Sequence, residues 1–115
     1  MTQVSKETEQ RIGEFRNLQN QLQMTLLQKQ SVQAQLDEIG EASEELKKSK
    51  GAVYRSVGTL LIASTREEAE KDLAEKKELL GVRLNVLTRQ EEKLRERLNE
   101  LKAKIEQALG GGAAG

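Results

Sequence analysis

The sequence predicts a mainly α fold: a long antiparallel two-helix coiled coil whose helices are joined by a single β-hairpin. Three observations predict it. Leu18, Leu22, Val32, Leu36, Ile39 and Leu46 fall on alternating steps of three and four residues. Leu73, Leu80, Leu84, Leu87, Leu94, Leu98, Leu101 and Ile105 do the same in the second half of the chain. Between the two runs lies a short β-branched segment centred on Gly58.

Steps of three and four hold an apolar stripe on one side of a helix, which buries itself against another helix. Folding the chain at its centre sets Leu18 against Leu98, Leu22 against Leu94, Val32 against Leu84 and Leu36 against Leu80. One fold point brings both stripes into register, which makes the pair antiparallel. The hairpin is then left with nothing in its own chain to pack on.

The first helix is expected over residues 5–48. Lys47, Lys48 and Lys50 complement the negative end of its dipole, and Gly51 can take a left-handed cap. The hairpin occupies 52–64. Ala52–Val57 and Leu60–Ser64 are apolar and β-branched enough to be strands, and Gly58-Thr59 between them is the signature of a type II′ turn. The second helix, 65–109, opens with the capping box Thr65-Arg66-Glu67-Glu68. Each helix would be about 60 Å long. The tail, 110–115, is expected to be a disordered end; its glycines do not open a helix, as a phosphate loop must. The whole chain, 1–115, reads as one subunit.

The seam is interrupted by Thr25 and Lys29 in the first helix and by Lys77 and Glu91 in the second. Lys29 and Glu91 lie about one layer apart. Snorkelling of both to the edge of a thin seam is the favoured reading. A buried pair that locks the register is the sharper one. Gly40 and Gly81 sit inside the helices at a cost of roughly 1 kcal/mol each relative to Ala, and either local flexibility or close approach of another chain would justify them.

Composition excludes much. With 33% charged residues, 36% hydrophobic, one Phe, one Tyr and no Trp, the chain has the proportions of a helical rod with a narrow seam. Nineteen basic and nineteen acidic residues cancel and are interspersed, so the charges read as a solvated face. Nucleic-acid binding through Lys47, Lys48, Lys50 and Arg55 is not expected. The longest apolar run, Leu60–Ala63, is far short of the ~18 residues of a membrane span. No apolar signal segment follows Met1, and there is no Cys, which fits a cytoplasmic protein. Without His or Cys there is neither an ordinary zinc site nor a Ser-His or Cys-His nucleophile. Paired carboxylates such as Glu44-Glu45 need a pocket to split their pKa values, and a two-helix rod offers none. No enzyme activity, metal or cofactor is expected.

A lone hairpin is marginal in water. This one carries Val53, Tyr54, Val57, Gly58, Leu60, Leu61 and Ile62 on a rod that cannot cover them, and both its edges are open. Closing several hairpins into a barrel removes the edges and buries the faces. The chain is therefore expected to be an obligate subunit joined through its hairpin.

These residues resemble a known family. Val53-Tyr54-Arg55-Ser56-Val57-Gly58-Thr59-Leu60-Leu61-Ile62 looks like the hairpin of a β-class prefoldin subunit. The Gln-rich stretch Leu22–Leu36 resembles its first helix, and Arg83–Leu94 its second. The likeness runs from about Ile12 to Leu109; a single hairpin points to the β class and the short chain to archaeal members. The resemblance implies an ATP-independent holdase chaperone. Two α and four β prefoldin subunits would join through their hairpins into a β-barrel platform carrying coiled-coil arms. Non-native client proteins would be gripped near the arm tips and passed to a group II chaperonin.

At the end of the rod away from the hairpin, Ile12, Phe15, Leu101, Ile105 and Leu109 are the candidate client-binding residues. Ile12 and Leu109 lie just off the seam and should be partly exposed. Phe15 and Ile105 serve equally well to finish the seam. A coiled-coil tether holding one defined partner is the alternative function; it would not suppress aggregation of unrelated proteins.

Overall fold

The computed structural model describes residues 4–110. Its elements are α1 (Lys6–Lys48), β1 (Val53–Val57), β2 (Leu60–Ser64) and α2 (Arg66–Ala108). The chain divides into two units: residues up to Lys29 with those from Val86 onward, and Gln30–Asn85, which contains the hairpin.

In the first unit, α1 starts at an N-cap. The Ser5 hydroxyl oxygen accepts from the backbone N–H of Thr8 at 3.1 Å and donates to the Thr8 hydroxyl at 3.0 Å, while Glu7 and Glu9 face the positive end of the dipole. The seam here consists of Leu87, Leu98 and Leu101, all buried, with Leu18, Leu22, Leu94 and Ile105 half-buried beside them. The polar interruption at Thr25 is real, and its side chain is buried. Past Ala108 the helix ends on Gly110, whose φ of +99° only glycine adopts freely.

Lys29 and Glu91 meet in this unit at 2.7 Å, both partly buried, so the snorkelling expectation is replaced by an interhelical ion pair. Glu91 also accepts from Arg95 at 2.8 Å. The Lys29 ammonium, and after it Arg95, hold the Glu91 carboxyl below its ordinary value of 4.5. A second interhelical pair was not foreseen. Arg97 donates from Nε and Nη2 to the two carboxylate oxygens of Glu14 at 3.0 and 3.3 Å, a side-on fork that raises its pKa.

In the second unit, Val32, Ile39 and Leu46 are buried, and Leu36, Leu73, Leu80 and Leu84 are half-buried. Each facing pair expected from the fold point thus has both members in one unit and at least half covered. Lys77, by contrast, is exposed and leaves its heptad position to solvent. Nothing lies within 4 Å of a Cβ built on Gly40 or Gly81, so no close approach within the chain accounts for either.

The end of α1 differs from the expectation. Gly51 does not have a positive φ; among the described residues only Gly58 and Gly110 do. The Arg66 guanidinium caps the helix instead, donating to the carbonyls of Leu46 and Ser49. The first residue of α2 therefore satisfies one carbonyl in the last turn of α1, that of Leu46, and the carbonyl of Ser49 just beyond it. The capping box at Thr65 is half as expected. Thr65 accepts from the Glu68 N–H at 3.1 Å, but the Glu68 carboxylate takes its hydrogen bond from the Ser64 hydroxyl at 3.2 Å.

Candidate interaction sites

The hairpin is built as its residues require. Val53↔Ser64, Tyr54↔Ala63, Arg55↔Ile62, Ser56↔Leu61 and Val57↔Leu60 pair antiparallel. Gly58 has φ +61° and Thr59 is not in the left-handed region, which is the type II′ pattern. Strand alternation puts Val53, Arg55, Val57, Leu60, Ile62 and Ser64 on one face and Tyr54, Ser56, Leu61 and Ala63 on the other.

Both faces are bare. Leu61 is 74% exposed, Leu60 65%, Tyr54 60%, Ile62 49% and Val57 45%; only the pair at the open end, Val53 and Ser64, is half-buried. Arg55 reaches Asp72 of α2 at 3.3 Å, which ties the first strand to the second helix without covering it. A contiguous set of large apolar side chains on a two-stranded ribbon marks a contact surface. The Arg55 contact also engages one of the four cations weighed for nucleic acid, and Lys47 lies 3.7 Å from Glu44.

The chain-end residues fall in the other unit. Leu109 is 56% exposed and Ile12, Phe15 and Ile105 are half-buried. Leu101 is fully buried, so it belongs to the seam and presents no surface to a ligand. Residues 111–115 of the expected disordered tail lie outside the described residues.

Sequence reading missed a further class of residue. Met24, Leu27, Leu79, Val82 and Val86 are exposed apolar side chains on the helices. They lie off the heptad stripe, and a search for apolar residues away from the seam would have found them. Among the described residues no group of His, Cys, Asp or Glu is arranged to hold a metal, and no helix is long and apolar enough to cross a membrane.

Two helices closed by a bare hairpin define a coiled-coil subunit built to assemble. Residues 9–112 match the family model for a prefoldin subunit. The chain is 42% identical to the prefoldin subunit beta of Pyrococcus furiosus over the full length of both, and 43% identical to that of Thermococcus onnurineus over 95% of this chain and 96% of the other. The crystal structure of the prefoldin beta subunit from Thermococcus strain KS-1 superposes with a TM-score of 0.87 at 41% identity, covering 95% of this chain and 97% of that one. The chain belongs to the prefoldin subunit family, and with that family goes a role of chaperone type in a hetero-oligomer of prefoldin subunits.

Proposed function

We propose that the chain is a β-class subunit of an ATP-independent cytoplasmic holdase. It joins other subunits, two α and four β in all, through its hairpin in a β-barrel platform. It grips non-native proteins with the chain-end residues Ile12, Phe15, Ile105 and Leu109, keeps them from aggregating and delivers them to a group II chaperonin. The observation that carries this reading is the hairpin: Leu61 and Leu60 are 74% and 65% exposed, although the heptad leucines of both helices are buried or half-buried. Exposed edges and faces of this kind are stable only when other strands cover them. Leu109 and Ile12 offer weak, sequence-independent apolar contacts. Several copies on one platform turn such contacts into useful avidity.

The test is to assemble the chain with an α subunit and measure aggregation of a denatured client without ATP. The assembled wild type should suppress aggregation. Ile12→Ser/Leu109→Ser should assemble normally and lose most of that activity. Full activity in the assembled double variant would refute the chain-end grip, and a wild-type complex that leaves aggregation unchanged would refute the holdase reading.

A further inference from the structure

Between Asn17 and Gln28 the first helix has no charged residue, in a chain that is 33% charged. The seam residues of this stretch are ordinary, but its outward positions are not. Gln19, Asn20, Gln21, Gln23, Leu27 and Gln28 are exposed, and Met24 is 62% exposed. Within the same unit, Gln21, Met24 and Gln28 of α1 face Gln90 and Lys93 of α2 across a groove. Thr25, which is buried, and Leu94, which is half-buried, complete its lining. The side-chain amides of Gln21, Gln28 and Gln90 have no hydrogen-bond partner among the described residues.

We propose that this groove is a second holding site, for short uncharged stretches of extended, non-native polypeptide. A glutamine amide carries one carbonyl acceptor and an NH₂ donor. These are the complements of the C=O and N–H that every non-proline residue of an unfolded chain exposes. Free amides along a groove therefore pair with backbone, whatever the ligand's side chains. Gln21 to Gln28 spans two helical turns, about 10 Å, which matches about three residues of extended chain. Met24 and Leu94 supply an apolar contact between the amides, and methionine adapts its shape to different side chains.

The lack of charge selects the ligand. A basic segment along the groove finds no counter-charge in its lining, and an acidic one finds only Lys93. Segments of low charge are the ones folded proteins bury, so the groove favours chains that have lost their fold. Three residues make a weak site alone, and repetition over several subunits gives it avidity.

The inference rests on the holdase reading, and the experiment separates the two. In the assembled complex, Met24→Glu/Gln28→Glu places two charges in the groove. Gln19→Glu/Gln23→Glu adds the same charge at the same helical spacing, on exposed residues that do not line it. Helicity and assembly mass are checked for both. Binding of a labelled synthetic peptide of leucine, threonine, serine and alanine is then measured by fluorescence anisotropy. The groove variant should bind about five- to tenfold more weakly, as expected for losing one apolar contact, and the control pair should bind like wild type. Equal effects in the two variants, or none in the groove variant, would overturn the proposal while a wild-type complex that suppresses aggregation leaves the holdase reading standing. A wild-type complex that neither suppresses aggregation nor binds the peptide would remove both.

Discussion

Replacing Leu60 and Ile62 by Lys should dissolve the oligomer while leaving the chain's own fold intact. Both side chains lie on one face of the hairpin, and they are 65% and 49% exposed in the single chain. Covering what remains of each is worth about 1–2 kcal/mol for Leu60 and ~1 kcal/mol for Ile62, taking ~2 kcal/mol for full burial of such a side chain. Each lysine adds the cost of an unpaired charge in a contact that had been dry, which is several kcal/mol more unless the ammonium escapes to solvent. At about 1.4 kcal/mol per tenfold, the apolar loss alone weakens every hairpin contact by roughly a hundredfold. The effect on the single chain should be small, within about 0.5 kcal/mol, because both side chains are exposed there. Sedimentation velocity and helicity by circular dichroism read the two consequences separately. The expected result is loss of the assembled species with helix content retained. A double variant that keeps the wild-type assembly mass would show that the hairpin is not the interface, and one that loses its helicity would show that the hairpin is needed for the helices to pair.

Four other outcomes follow from the same geometry. Exchanging Lys29→Glu with Glu91→Lys should recover stability lost in either single reversal, as read by denaturant midpoints; losses that simply add would mean that the pair does not fix the register. The folded pKa of Glu91 lies below its unfolded value, so the pair's contribution is complete above that unfolded value, near 4.5, and is lost as pH falls through the folded one; Glu91→Gln should remove this part of the acid sensitivity in a pH series of midpoints. Arg66→Ala strips the carbonyls of Leu46 and Ser49 of their donor and should destabilise the end of α1 by ~1–3 kcal/mol, seen as faster amide exchange at the end of α1; Arg66→Lys should restore it only in part, since an ammonium lacks the fork. Gly40→Ala should raise stability by about 1 kcal/mol, because a Cβ there meets nothing within 4 Å, and weaker assembly of that variant would instead place another chain against Gly40.

What the sequence by itself determined is local. Alternating steps of three and four set both helices and the identity of the seam. Glycine followed by a β-branched residue set the II′ turn at Gly58, and Thr65 set the start of α2. From these came the bare hairpin, since burial of one face of each helix leaves no chain to cover it. Tertiary structure decided what depends on the rotation and register of one helix against the other. That geometry brings Lys29 to Glu91 and Arg97 to Glu14, across more than sixty residues of sequence in each case. It also hides Leu101 completely while Leu109, just past the end of the same helix, stays open. The end of α1 shows the reason most clearly. Its carbonyls need a donor, and the nearest glycine can supply one only by local geometry. A guanidinium delivered by the turn of the hairpin supplies two at once, and no sequence pattern within α1 encodes where Arg66 will arrive.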